Sequence, residues 1–353
     1  MVRFASIIQI KFRKMNLKLF SYISFPAIFL IFLISCGSNG SGNSSDNASS
    51  AAAKDASEAK ISIPVFNTDS AYFFVEKQVS FGPRVPNTPE HVACGDWLQS
   101  SLERFADTVY VQPARVRAWD GTILNIRNFI GSFQPENSRR ILLCAHWDTR
   151  PWADHDPDPA NQFSTFDGAN DGAGSVGVLL EIARLLSKNQ PDIGIDIIFF
   201  DAEDYGQHDQ HQGVDRDTWA LGSQHWSRTP HRPDYNARYG ILLDMVGAYN
   251  ATFRHEGYSM LYAPHIVRKV WQIARQEGFG HFFINDEGGH IMDDHYYINT
   301  IRNIPVINII DQRLDTPHGF FPYWHTVKDN MDAIDPNTLH AVGTTVLRVI
   351  FEE

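Results

Sequence analysis

Four short, nearly unbroken apolar runs constrain this chain more than any other feature. They are residues 140–145 (RILLCA), 195–200 (IDIIFF), 239–243 (YGILL) and 304–310 (IPVINII). A strand that is apolar in both directions is covered on both faces, as in a parallel or mixed sheet. Stretches of helical spacing fall between the runs, at 175–187, 218–227 and 263–277, and a last one follows Asp335-Pro336 over 337–351. Upstream, Thr88-Pro89 offers a helix start with proline in the first turn, and Leu98, Leu102 and Phe105 follow on one face. Residues 109–119 and 123–133 read as two strands joined across Asp120-Gly121, a hairpin signal. Strand alternates with helix, so the fold class is α/β. The sequence has no internal repeat.

The N-terminus reads as an address rather than as part of that fold. All five basic residues before position 36 (Arg3, Lys11, Arg13, Lys14, Lys18) precede an apolar run at 19–34 that ends in Ser35-Cys36. The run is short for a membrane span. Small residues before a cysteine at its end resemble a bacterial lipoprotein signal. By that resemblance residues 1–35 are removed and Cys36 carries lipid. The chain would then be exported and anchored to a bacterial membrane, on the periplasmic or cell-surface side. Residues 36–60 are mostly Ser, Asn, Gly and Ala, too poor in apolar bulk to order themselves, and read as a flexible tether. The folded domain is expected over residues 61–353.

Without its first 35 residues the chain has 25 basic and 41 acidic side chains. So acidic a surface repels phosphate backbones, and nucleic-acid binding is excluded as a first reading. Cys94 and Cys144 have no metal-type spacing; a disulfide between them and two buried thiols are both open.

In an open α/β sheet, chemistry collects beyond the carboxyl ends of the strands. His146-Trp-Asp148 follows the first run and Asp201-Ala-Glu203-Asp204 the second. Asp244 closes the third; Asp293-Asp294-His295 precedes the fourth and Trp324-His325 follows it. Asp171 stands ahead of the helix between the first two runs. Histidines and carboxylates without thiolates suit a catalytic zinc. Glu203 and Asp204 are adjacent but need not act alike, since one can hold metal while the other moves protons.

The ordered set Gly168-Ala-Asn-Asp171-Gly-Ala, Phe199-Phe-Asp-Ala-Glu203-Asp204, Leu243-Asp244 and His325-Thr326 resembles the zinc aminopeptidase superfamily. Asp293-Asp294-His295, Ile304-Pro-Val and Trp324-His325-Thr326 bring it nearer to the animal-type glutaminyl-peptide cyclotransferases. The resemblance spans Ser70 to Glu353. It implies a single-domain α/β/α sandwich with a central twisted mixed β-sheet. It implies one zinc per chain, on Asp171, Asp204 and His325, with Glu203 as general base and then general acid. Asp293 and Asp244 would form a hydrogen-bonded carboxylate relay behind Glu203. Trp324 would be one wall of the pocket. Residues 205–217 look inserted, so Trp219 is the nearest candidate for a second wall, with helix packing as its alternative. The substrates implied are peptides and proteins with N-terminal glutamine, converted to pyroglutamate with loss of ammonia.

Two departures stand out. Asp204 is one methylene shorter than the glutamate of the animal enzymes, and Asn308 stands where they have histidine. His146 and Asp244 are also the residues a second zinc would use, with Asp148 beside His146 as its hydrogen-bond partner. The runner-up is therefore a dinuclear zinc aminopeptidase, and a catalytically silent peptide-binding lipoprotein is the third reading. Residues 154–165 lack the glycine and glutamate of a calcium loop and read instead as a proline-stiffened acidic loop over the site. His208 and His211 read as part of a solvated loop, and His318 as a rim residue. No Gly-x-Ser-x-Gly elbow supports serine chemistry.

Overall fold

A computed structural model describes residues 63–211 and 217–353. The signal at 1–35, Cys36 and the tether at 36–60 lie outside the described residues. In chain order the elements are α1 (Thr68–Val79), α2 (Pro89–Phe105), β1 (Thr108–Arg117), β2 (Ile123–Phe133), β3 (Arg140–His146), α3 (Ser175–Leu186), β4 (Gly194–Phe200) and α4 (Leu221–Arg228). There follow β5 (Gly240–Asp244), β6 (Phe253–His255), α5 (Gly257–Tyr262), α6 (Pro264–Gln276), β7 (Phe283–Glu287), α7 (Asp294–Tyr297), β8 (Val306–Ile310) and α8 (Pro336–Phe351).

The main sheet has the order β1-β2-β4-β3-β5-β8. The hairpin strands β1 and β2 pair antiparallel, and β2 joins β4 antiparallel. The four apolar runs, β4, β3, β5 and β8, pair parallel. The sheet is thus mixed, with its parallel part made of the strands that are apolar on both faces. β3 and β4 are buried at every position. Successive residues face opposite layers. Ile141, Leu143 and Ala145 pack with residues of α1, α2, α3, α6 and α8, whereas Leu142 and Cys144 pack with Trp226 of α4 and with Ile298 just after α7. This is the expected α/β/α sandwich. Each fully buried Leu or Ile contributes about 1.5–3 kcal/mol, which is why these runs dictate the fold. Cys94 and Cys144 lie in the two different layers, and both are free thiols.

Helix ends are set locally. Thr88 accepts a hydrogen bond from the His91 amide at the start of α2, and Asp335 accepts one from the Asn337 amide at the start of α8; each is followed by proline. The helix expected over 218–227 begins only at Leu221, because Ala220 is left-handed (φ 51°). That kink leaves Trp219 outside the helix.

Candidate active site

Register levels the carboxyl ends of the parallel strands: His146 pairs with Phe200, and Asp244 with Ile310. His146 ends β3 and Asp244 ends β5. Glu203 and Asp204 turn off the end of β4. Asp171 comes from the turn before α3, Asp293 caps α7, and His325 sits in the loop after β8. Three tight turns aim these groups. Ala202, Met245 and His325 itself are left-handed, with φ of 51°, 50° and 52°. Each such residue costs on the order of 1–3 kcal/mol, a strain that persists only where the surroundings hold it. Gly172 permits a close approach: a Cβ there would lie 2.4 Å from His146 O and 2.7 Å from His146 Nε2.

Two groups of ligand-type atoms form around Asp171. Asp171, Asp204 and His325 bring one ligand atom each within 4.8 Å of one another, as do His146, Asp171 and Asp244. His325 Nε2 is 3.1 Å from Asp204 Oδ1 and 3.6 Å from Asp171 Oδ2. His146 Nε2 is 3.0 Å from Asp171 Oδ1 and 3.3 Å from Asp244 Oδ1. Asp171 therefore faces one imidazole with each oxygen. Behind the rings stand more carboxylates: Asp148 Oδ1 is 3.6 Å from His146 Nδ1, and Asp154 Oδ1 is 3.5 Å from His325 Nδ1.

Buried partners hold the ligand loops by their backbone. Asp148 accepts hydrogen bonds from the amides of Glu203 (3.0 Å) and Asp204 (3.2 Å), one on each oxygen. Asp329 does the same for Asn170 (2.8 Å) and Asp171 (3.1 Å). Arg150 forks onto Asp154 (2.8 and 2.6 Å) and donates to the carbonyl of Asp204 (3.1 Å). Sequence reasoning placed Asp148 only beside His146, and missed Asp329, Arg150 and Asp154. Loop charges give no sign in sequence of being buried; the four-residue spacing of Arg150 and Asp154 was the one readable signal.

The electrostatics ask for a cation. Burial drives the Glu203 carboxyl well above its usual range; His146 opposes this, and the charges of Asp293 and Asp204 add to it. Burial and the Asp293 charge push Asp244 up to about 7. Burial pulls His146 down, but Asp148, Asp171 and Asp244 outweigh it and raise its proton affinity. Asp204 Oδ2 and Asp244 Oδ1 are buried without a hydrogen-bond donor. Orphaned oxygens and imidazole nitrogens, gathered without sulfur, fit zinc.

Above them opens a pocket of about 510 Å³, lined by Asp171, Glu203, Asp204, Asp244, Asp293 and His325 and walled by Trp219 and Trp324. All eight were expected at the site. Trp324 stacks on His325 at 3.8 Å between ring centroids, and Trp219 lies parallel to the same ring (5°) at 6.5 Å. Trp219 is thus a pocket wall rather than helix packing. Ile291, Met292, Ile310 and Phe320 complete an apolar lining. The side-chain hydrogen bonds of Asp293 run to Asn308 Nδ2 (2.6 Å) and the Asp294 amide, rather than to Glu203 or Asp244. His318 is exposed and edge-on to His155, a rim residue as expected. His208 departs from expectation. It is buried, stacked on Phe163 at 4.6 Å and 5.6 Å from Trp152, because the aromatic residues flanking it give it a cover that composition did not reveal. His211 is exposed.

The family model for peptidase family M28 matches residues 128–350. Glutaminyl-peptide cyclotransferase from Bos taurus is 27% identical over 286 residues, covering 72% of this chain and 74% of that protein. The solved structure of a Bacteroides thetaiotaomicron glutaminyl cyclase bound to N-acetylhistamine is 56% identical, with a TM-score of 0.81, and covers 83% of this chain and 100% of its own. A Zn-dependent exopeptidase from Parabacteroides distasonis has the same identity and coverage, with a TM-score of 0.82.

Proposed function

The chain belongs to peptidase family M28, and from that premise we propose that it is a zinc-dependent glutaminyl-peptide cyclotransferase. It converts the N-terminal glutamine of peptides and proteins to pyroglutamate and releases ammonia. The observation that carries this reading is the aromatic lining: Trp324 stacks on His325, Trp219 lies parallel to the same ring, and both line one pocket with Glu203, Asp171 and Asp204. Attack by a substrate's own amine needs a folded side chain and little water. The aromatic and aliphatic walls over the carboxylates favour both, whereas hydrolysis needs a water.

Asp171, Asp204 and His325 would hold one zinc per chain, which when bound supplies Lewis-acid polarisation of the γ-carboxamide carbonyl. Glu203 takes the proton from the α-amine as it attacks the γ-carbon, and returns it to the departing amide nitrogen. Its raised proton affinity suits a group that must be base and then acid. Burial comes first, and the charges of Asp293, Asp204 and Asp294 add to that affinity. Trp219 and Trp324 hold the glutamine side chain against Glu203. Asp148 and Arg150 fix the backbone of the shorter Asp204, which would hold the metal together with Asp171 and His325.

One observation favours a second reading. His146, Asp171 and Asp244 would complete a two-metal aminopeptidase site. A Gln-leading peptide separates the two. Mass loss of one ammonia with the chain intact supports cyclisation; loss of the whole first residue overturns it. Metal analysis of the purified protein reads one zinc or two. We further propose that the catalytic domain spans residues 61–353 and is exported and held to a bacterial membrane by lipid on Cys36. The support is the 19–34 apolar run ending at that cysteine. Cys36→Ser should move the protein from the membrane to the soluble fraction.

A further inference from the structure

Glu256 lies outside the pocket, at the start of α5, and is 0% exposed. As the helix cap it accepts from the amides of Tyr258 (2.9 Å) and Ser259 (2.6 Å). Three further contacts exceed what a cap requires. Glu256 Oε1 accepts from the Ile291 amide at 2.9 Å. Glu256 Oε2 lies 2.9 Å from His295 Nε2 and accepts from Ser259 Oγ at 2.7 Å.

These contacts lead to the pocket from two directions. Ile291 and Asp293 line it, and Glu256 grips the segment on both sides of Asp293, at Ile291 and at His295. The second route crosses to β8. Ser259 Oγ accepts from the Asn308 amide at 2.8 Å, and the Asn308 side chain donates to Asp293 Oδ2 at 2.6 Å. One buried carboxylate therefore fixes the backbone that carries Asp293 and, through Ser259 and Asn308, its carboxylate oxygen. A charged acceptor with five donors is among the stiffer devices a protein has.

We propose that Glu256, with His295, is the positioning residue that sets where the Asp293 carboxylate stands relative to Glu203, by clamping Ile291 and His295 and by steering Asn308 through Ser259. The proposal rests on the reading that Asp293 serves Glu203 in cyclisation. It accounts for a buried Glu256–His295 contact on the far side of the pocket wall that neither metal binding nor substrate contact requires. It also accounts for Asn308, whose backbone amide is held by Ser259 Oγ and whose side chain reaches Asp293.

The test is a cycle of Glu256→Gln and Asp293→Asn in the zinc-loaded full-length protein, turning over a Gln-leading peptide well below the unfolding temperature. Glu256→Gln should lower kcat roughly tenfold to a hundredfold, the effect of sub-ångström to ångström misplacement, with KM within about twofold and zinc content unchanged. In the Asp293→Asn background it should cost nothing further, because the group it positions is already disabled. If Glu256→Gln does not fold, Ser259→Ala removes one hydroxyl from the same path and should show the same non-additivity with a smaller loss. An Asp293→Asn enzyme as active as the parent overturns the role of Asp293, and the proposal with it. A crippled Asp293→Asn beside Glu256 and Ser259 variants that keep full kcat, or whose losses add in full, overturns the proposal alone. A lowered melting temperature with normal kcat counts as the second outcome, since it marks a purely structural clamp.

Discussion

Glu203 and Asp204 differ by one position in the chain and by everything in their surroundings. The left-handed turn at Ala202 and the paired amide bonds to Asp148 hold their backbone. Asp204 then meets His325, while Glu203 faces the pocket, where burial raises its proton affinity. Glu203→Gln keeps the shape and removes the base. It should lower kcat by roughly 10²–10⁴-fold with zinc content unchanged. Zinc loss measured by metal analysis would mean that the two roles are assigned in reverse. At this scale the sequence was informative wherever a group had to be polar at a strand end. Glu203 and Asp244 were readable because apolar runs stop just before them, whereas Asp171 and His325 stand well beyond any run and were readable through the motifs around them. Trp219 was readable only as a candidate, since whether an aromatic residue packs in a helix or walls a pocket depends on one backbone angle, at Ala220. Asp329 was unreadable, because a carboxylate that serves only to accept two amides has no signature in sequence.

The elements divide in the same way. The four buried strands and helices α2, α3, α6 and α8 follow from apolar spacing, and the structure returns them within a few residues. α1 was missed although Ala71, Phe74, Val75 and Gln78 form its buried stripe. The fourth of these is a glutamine, whose Nε2 donates to the Phe74 and Ala173 carbonyls, and it breaks the apolar pattern. β6 and α7, at three and four residues, are too short to carry a period. The loops that position the metal ligands hang on clamps between elements. Asp329 ties the Asp171 turn to the segment that follows His325, so it couples two of the three residues that would hold the proposed zinc. Asp329→Ala should weaken zinc affinity roughly 10–100-fold, the usual cost of losing a supporting partner, while kcat at saturating zinc changes little. Competition with a chromogenic chelator reads the affinity; unchanged affinity with lost kcat would place Asp329 in the chemistry instead.

At the scale of the whole molecule the pocket concentrates an excess of negative charge that the fold must tolerate without its metal. Two groups set opposite limits. Burial alone would raise Glu256, but His295 and Ser259 outweigh it and hold the carboxyl at about 2 against an ordinary 4.5. A depressed acid stabilises the fold above its unfolded value, so this contribution is lost as pH falls from about 4.5 toward 2. Asp244 runs the other way, raised from 3.8 to about 7 by burial and the Asp293 charge. Its contribution is complete below pH 3.8 and is lost as pH rises through 7, where the buried carboxylate is forced to ionise. With respect to these two groups, the metal-free protein should therefore be most stable where the windows meet, near pH 4, and weaken toward neutrality. Zinc reverses the second limit, because a cation beside Asp171 makes ionised neighbours favourable and binds the folded state alone. Thermal melts with excess zinc and with chelator, taken from pH 4 to 8, should show a gap that widens steadily with pH. A gap that stays constant over that range would mean that the carboxylates around Asp171 do not answer to the metal, and that the charge of the pocket is balanced from within by His146 and Arg150.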